Sequence, residues 1–435
     1  MRQKKTLTDI LDEREIRLPN RFLYYLLFPI LKLINLPHHP KYVYHFDKKV
    51  WRNQQVILLS DHAAFTTFYY TLGGYPFVPL TPVMGYHHFF KKFLFSLFVK
   101  MGVIAKRNYE TDLRAVRQMF KVLSMGGSLC LFPEGVRSTT GSNHPINPST
   151  VALLKKMGVP VMLCKTYGSY CARPLYCKKT KKGPQEYHYE VLFTKEDLQN
   201  LSAQELYARF LERFRYNDFE WNAKQKHRYV GEKPNADNVD TIVYLCPKCG
   251  REFTLHVEGD TIVCDHCGNR IRMNEWYGLE AAGDGSVAPY ADIDRWYKVQ
   301  REKVRQEVRS ADFSLSYDCD LLDMYTDTTR WHPYYESGEG RVTIDAAGIH
   351  YDGTRKGEQV KLDFDIKTVP SFLFTPGEFN VLYYHNDYFC FRPKQERKKV
   401  VKYLLAVEEL HNAVDPLWDS VSRDAYRLEA PAEAV

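Results

Sequence analysis

The stretch Ser128-Leu129-Cys130-Leu131-Phe132-Pro133-Glu134-Gly135-Val136-Arg137-Ser138 runs from an apolar strand directly into a charged turn. Ser128 to Phe132 alternates little, as expected of a strand covered on both faces in a parallel sheet. Pro133 has no N–H to give a ladder and stops the strand. A buried strand ending in Pro-Glu-Gly-x-Arg delivers a carboxylate and a guanidinium to its carboxyl end, where open α/β sheets bind ligands. Gly135 permits a sharp turn or a close approach to a ligand.

Val56-Ile57-Leu58-Leu59-Ser60 is a second apolar, β-rich run, and it stops at Asp61-His62. A strand-end histidine taken alone is more often a hydrogen-bonded structural residue. Here it has company: Gly102-Val-Ile-Ala-Lys-Arg107 is a short apolar strand ending in a cation, and Gly158-Val-Pro-Val-Met-Leu-Cys164 opens a fourth strand. Leu113 to Met125 has helical spacing and stops at Gly126-Gly127, which suits a crossover helix into the central strand.

Composition sets the outer bounds. A chain of 435 residues has room for two or three domains, each with its own core. With 44% hydrophobic and 26% charged residues it is an ordinary globular sequence, and its net charge of +7 favours anionic partners modestly. Ten cysteines with no disulfide framework are a cytosolic pattern. No signal peptide is evident in the charged first twenty residues. The apolar run Phe22 to Leu31 is shorter than the roughly 20 residues of a spanning helix and is broken by Pro29, so it is expected to lie on a membrane surface or pack on the protein. His87 to Met101 reads as one basic amphipathic helix with a Phe-rich face, suited to core or to a lipid interface. The location expected from these features is cytoplasmic, peripheral at the inner face of the membrane.

Cys246-Pro-Lys-Cys249-Gly and Cys264-Asp-His-Cys267-Gly are two knuckles separated by β-like segments. Four thiolates at this spacing, Cys246, Cys249, Cys264 and Cys267, close a tetrahedral shell around Zn2+ and leave no open position, so the site is structural and resembles a zinc ribbon. The surrounding charge is too mixed for a phosphate track, which argues against nucleic acid. Beyond it, short β segments end in a helix, Gln395 to His411, similar to the pleckstrin-homology or GRAM-like barrel, with headgroup or protein binding implied by analogy only. Lys178, Lys179, Lys181 and Lys182 read as a basic loop, a solvated hairpin tip or a lipid-headgroup contact.

In order and spacing, His62, Gly102 to Arg107, Phe132-Pro-Glu-Gly135 and Val159-Pro160 resemble the four motif blocks of the glycerolipid acyltransferases, the lysophosphatidate or 1-acylglycerol-3-phosphate acyltransferase family, over roughly residues 40 to 225. The resemblance implies an α/β fold, with an acyltransferase-type sheet flanked by helices. It implies that His62 is the base that deprotonates a glycerol hydroxyl as it attacks an acyl thioester, carried by acyl-CoA or acyl carrier protein. Arg107 and Arg137 would hold the phosphate of a lysophospholipid acceptor, with Gly135 and Ser138 completing the substrate-binding turn. Glu134 would support acceptor binding, or orient Arg107 or the hydroxyl. The family pattern places an aspartate five residues after the histidine; here that residue is Thr67. The alternative reading is therefore a lipid-binding or scaffold protein that keeps the acceptor pocket with weakened turnover.

The organisation expected is a leader and interfacial helix (1–40), an acyltransferase-like domain (41–225), a linker (226–240), the ribbon (241–278), a linker and helix (279–330), a small β-rich domain with a C-terminal helix (331–414) and a disordered tail (415–435).

Overall fold

In the computed structural model, which describes residues 7–27, 40–91, 94–325, 334–385 and 387–428, seven strands form the first sheet. They are β1 (Lys41–Tyr44), β2 (Ile57–Ser60), β3 (Leu80–Gly85), β4 (Ile104–Lys106), β5 (Ser128–Leu131), β6 (Val161–Tyr167) and β7 (Glu186–Phe193), in the spatial order β1-β7-β6-β2-β5-β3-β4. The strands from β6 to β4 are mutually parallel, and β7 runs against β6. Leu59 pairs with both Leu131 and Leu163, so β2, β5 and β6 are in step with one another. The residues that follow β2, β5, β3 and β4 therefore emerge along one rim.

Both faces of this sheet are covered, which accounts for central strands that do not alternate. Ile57, Leu59 and Leu129 pack with Met119 and Val122 of the helix Leu113–Ser124 on one side. Leu58, Cys130 and Met162 pack with Tyr70, Tyr187 and Tyr189 on the other. Two strands were not anticipated. β3 is a central strand that contains Pro82, a residue that ordinarily argues against such a position. β7 carries buried Tyr187 and Tyr189 two residues apart, the alternation that marks it.

Several expectations need correcting. His87 to Met101 is not one helix: a 3-10 turn, Tyr86–Phe90, precedes the helix Leu94–Lys100, and residues 92–93 lie outside the described residues. Phe89 and Phe90 are buried with Val381 and Tyr383 of the C-terminal sheet, so protein covers those rings. Residues 195–214 form two helices, Lys195–Asn200 and Ala203–Phe214, because Ser202 caps the second with a reciprocal bond to Glu205. Lys181 is not a solvated loop residue: it is buried and donates to Lys233 O, Pro234 O and Asn235 Oδ1. That contact anchors residues 226–240, where Tyr229, Ala236 and Val239 are also buried, in place of an open linker. The apolar run at Phe22 begins in a helix over residues 21–27, and its remainder lies outside the described residues.

The ribbon is an antiparallel sheet of β8 (Leu255–Glu258), β9 (Thr261–Cys264), β10 (Arg270–Met273) and β11 (Leu279–Ala281). The third sheet comprises β12 (Ser314–Met324), β13 (Tyr334–Asp345), β14 (Gly348–Arg355), β15 (Glu358–Asp365), β16 (Leu373–Thr375), β17 (Phe379–Tyr384) and β18 (Asp387–Pro393). Its order is β15-β14-β13-β12-β18-β17-β16, antiparallel throughout. The middle strand, β12, falls inside the segment expected to be linker and helix, and its alternating Leu315, Tyr317, Cys319 and Leu321 identify it. A 3-10 turn, Ile366–Thr368, links β15 to the segment leading into β16. The helix Val400–Val414 covers the sheet. A further helix, Pro416–Ala425, stands where a disordered tail was expected; Asp415 caps it by accepting from the amides of Leu417 and Trp418. Residues 429–435 lie outside the described residues.

One buried cluster joins Tyr170 and Phe219 beside the first sheet, Ile262 and Ile271 of the ribbon, Trp296, and Phe391 of the third sheet. The ribbon and the third sheet therefore share a core with the helices beside the first sheet, and Ala105 of β4 packs with Val381 and Cys390 of the third sheet in a separate cluster. No helix among the described residues is long and apolar enough to cross a membrane.

Candidate active site

Buried β2 delivers His62 to the rim, where its half-buried ring lies 4.8 Å from the ring of Phe132. Burial, then the charge of Arg137 and the neighbouring His144, pushes the imidazole down to about 3, with the Ala64 main chain opposing the drop. The ring is therefore neutral at ordinary pH. Its Nδ1 is buried and makes no well-formed hydrogen bond among the described residues. Thr67 does not supply that bond, because its Oγ1 accepts from the Ala64 amide at 2.9 Å. Nor does Asp61, which turns into the sheet and accepts from the Thr166 amide at 2.7 Å and hydroxyl at 2.6 Å.

Glu134 is 5% exposed and touches main chain where a substrate contact was expected. Its Oε1 accepts from the His62 amide and its Oε2 from the His144 amide, each at 2.9 Å. Burial lifts the carboxyl to about 8 against these two bonds. In return, the Ser138 amide donates to His62 O at 2.9 Å. The β2 and β5 loops are thus fastened to each other by two bonds, and the third, to His144, closes the β5 loop on itself, so the glutamate acts as a clamp. Gly135, exposed and at φ 71°, makes the left-handed turn that the clamp requires.

Arg137 lies beside His62 with no ion-pair partner among the described residues. Burial, and then Arg173, lowers its guanidinium to about 10. The two guanidinium groups approach the ring of Phe65, Arg173 at 4.8 Å and Arg137 at 6.0 Å. Lys91, His87 and His88 fall within the same field; each is pushed down first by burial and then by neighbours that include Arg137. Arg137, Arg173 and Lys91 thus place three cations near one another, and among the described residues none of the three has an ion-pair partner. The sequence reading missed Arg173, Lys91, His87 and His88, since none of them sits in a recognisable motif.

The other expected site residues are placed differently. Arg107 is buried; it bonds both oxygens of Asp12, at 3.0 and 3.2 Å, and stacks 4.8 Å from the Tyr86 ring. Its guanidinium is committed to Asp12 and Tyr86, although the next residue, Asn108, donates to Gly135 O. The structure thus brings together His62, Glu134, Arg137 and the Gly135 turn, and the main chain after Arg107 borders that turn while its side chain points to Asp12. Ser138 is fully buried, its hydroxyl donating to Ser142 O and accepting from the Gly141 amide, so it shapes the loop.

In the ribbon, the Cys246, Cys249, Cys264 and Cys267 sulfurs all lie within 4.8 Å of one another. The Cys246–Cys267 and Cys249–Cys264 separations are 3.7 and 3.9 Å. A tetrahedral zinc with Zn–S bonds of about 2.3 Å requires sulfurs about 3.8 Å apart. The donor set and spacing therefore fit zinc. The two knuckles repeat each other, with Gly250 and Gly268 both at φ 69° and their amides bonded to Cys246 O and Cys264 O.

Residues 42–164 match the family model described as Acyltransferase, a span that holds His62, Arg107, Glu134 and Arg137. Over that span the chain is similar to acyltransferase domains. Residues 239–275 match a zinc-ribbon family described as DNA directed RNA polymerase, 7 kDa subunit, so the cysteine quartet lies in a ribbon of known type. Among solved structures the chain is similar to the 1-acyl-sn-glycerophosphate (LPA) acyltransferase, PlsC, from Thermotoga maritima. The identity is 17% and the TM-score 0.37, over 44% of this chain and 76% of that one. A comparison with curated proteins finds no match. The matched acyltransferase segment thus stops short of Arg173, and the ribbon follows it without belonging to it.

Proposed function

We propose that the acyltransferase domain moves an acyl chain from an acyl thioester, acyl-CoA or acyl carrier protein, to the free hydroxyl of a lysophospholipid such as 1-acylglycerol-3-phosphate. The observation that carries this reading is the Glu134 carboxyl shared by the His62 and His144 amides, which ties a neutral imidazole to the turn bearing Arg137, a cation with no ion-pair partner among the described residues. His62 takes the hydroxyl proton as the acceptor oxygen attacks the thioester carbonyl. The C–O bond forms, the C–S bond breaks, and the proton passes to the leaving thiolate. No acyl-enzyme is required.

Arg137 offers the phosphate a planar fork, and Arg173 and Lys91 add charge. Because the charge of Arg137 helps to hold His62 down, an anionic headgroup beside it restores basicity to the imidazole when the acceptor is in place. Phe65, Tyr69, Phe68 and Phe132 make a row of ring contacts ending at His62, an apolar path for an acyl chain. The exposed Phe22 and Leu26 suit a peripheral position on the membrane that holds such substrates. The test is incubation of the purified chain with lysophosphatidate and labelled acyl-CoA. Label enters the lipid, and His62→Ala cuts the rate by about 100-fold or more; equal rates in the two proteins reject the reading.

The Nδ1 of His62, which makes no well-formed hydrogen bond among the described residues, favours a second reading, an acyltransferase-like lipid binder with little turnover. It predicts lysophosphatidate binding that Arg137→Ala weakens, with no transfer in either protein.

A further inference from the structure

We infer that Tyr426, acting through His144, is a positioning residue for the His62 loop, which makes the C-terminal helix a working part of the candidate active site. The inference rests on the acyltransferase reading and adds to it a group 282 residues beyond His144 in sequence.

His144 holds the loop in two ways. Its amide donates to Glu134 Oε2, and its ring Nε2 lies 3.1 Å from Arg137 O. A carbonyl only accepts, so Nε2 carries the ring proton; burial, the leading cause of its lowered pKa, keeps the ring neutral. Nδ1 is then an acceptor, and it faces the Tyr426 hydroxyl at 2.9 Å. The tyrosine thereby selects the tautomer that grips the Arg137 carbonyl. Through Glu134, the same grip extends to the amide of His62.

Tyr426 is itself held firmly. The Arg301 guanidinium stacks 3.9 Å from its ring, and Arg301 is 1% exposed, paired with Glu408 and Glu409. The helix Ile293–Glu307, which supplies Arg301, also carries Asp294, whose Oδ1 accepts from Thr140 and Ser142 of the same loop at 2.6 Å. The loop after Glu134 is therefore fastened from the C-terminal side at two separate places.

The test is Tyr426→Phe in the full chain, which removes the hydroxyl and leaves a ring for Arg301 to stack on. Loss of one buried hydrogen bond should lower kcat for transfer from acyl-CoA to lysophosphatidate by roughly three- to tenfold, with KM for acyl-CoA unchanged. Amide hydrogen exchange in the segments containing His62 and His144 should speed up by a similar factor, while the ribbon is unaffected. An unchanged kcat with unchanged exchange overturns the inference. So does a general loss of stability with kcat per folded molecule intact. If the unaltered chain transfers no acyl group, the functional reading fails by itself and the exchange measurement decides: faster exchange at both segments supports positioning, and no change rejects it.

Discussion

The amide of His62 donates to Oε1 of Glu134 at 2.9 Å, so the glutamate of the motif turn grips the main chain of the histidine it was expected to assist through substrate. With Oε2 on the His144 amide, both acceptor atoms of the side chain are spent on backbone. Geometry, more than charge, is what Glu134 contributes.

That assignment makes Glu134→Gln a damaging change despite its equal size. A glutamine has one oxygen for two amides, and its NH2 must then face an N–H. We expect destabilisation of about 1–3 kcal/mol, read as a lower denaturant midpoint, together with loss of transfer. A variant as stable and active as the parent would contradict the clamp.

His62, His87, His88 and His144 are all pushed below the usual histidine range, mainly by burial. Between those folded values and the unfolded value near 6.5, the unfolded chain binds protons that the native chain refuses. Their contribution to stability is thus full above about pH 6.5 and is lost as pH falls. For His62, NMR titration should show no protonation between about pH 8 and 5. Arg137→Met removes a repelling charge and should move its titration upward; an unmoved titration would separate Arg137 from His62.

Thr67 stands where an aspartate would orient the imidazole. It sits at the first turn of the helix Thr67–Gly73, and its oxygen accepts from Ala64 N, both of which a carboxylate tolerates. Thr67→Asp should raise kcat by about tenfold or more, given the roughly 10⁴-fold value of such a partner in hydrolase triads. Steady-state transfer rates check this, and no gain would mean that Nδ1 is not what limits the rate.

How much of the fold and the site was legible in the chain follows from the kind of signal each part leaves. The parallel core strands announced themselves because burial on both faces demands unbroken apolar runs such as Val56 to Leu59. The ribbon did so because two Cys-x-x-Cys knuckles are the donor set that a tetrahedral thiolate shell needs, and the fold brings all four sulfurs together. β3 stayed hidden behind Pro82, and Arg173, His144 and Tyr426 carry no local pattern because their roles are created by tertiary contact. Arg107 shows the converse: its motif was visible, and its partner Asp12 lay in a leader that looked uninformative.

Zinc should matter beyond the ribbon. Trp296 Nε1 donates to Leu245 O at 2.8 Å, and the same helix carries Asp294 to the active-site loop. Metal analysis should give one zinc per chain. Cys264→Ala should abolish it, lower the thermal midpoint and reduce acyl transfer. Full transfer in a zinc-free, folded variant would uncouple the two centres.

The most direct test of the central claim, that one rim presents a base and an anion fork to the same acceptor, is acceptor discrimination. Labelled acyl-CoA is offered with lysophosphatidate or with the matching monoacylglycerol, to the parent chain and to Arg137→Ala. The account predicts a preference of about tenfold or more for the phosphate-bearing acceptor, lost on removal of Arg137. Equal use of both acceptors by the parent chain, or a preference that survives Arg137→Ala, would contradict it.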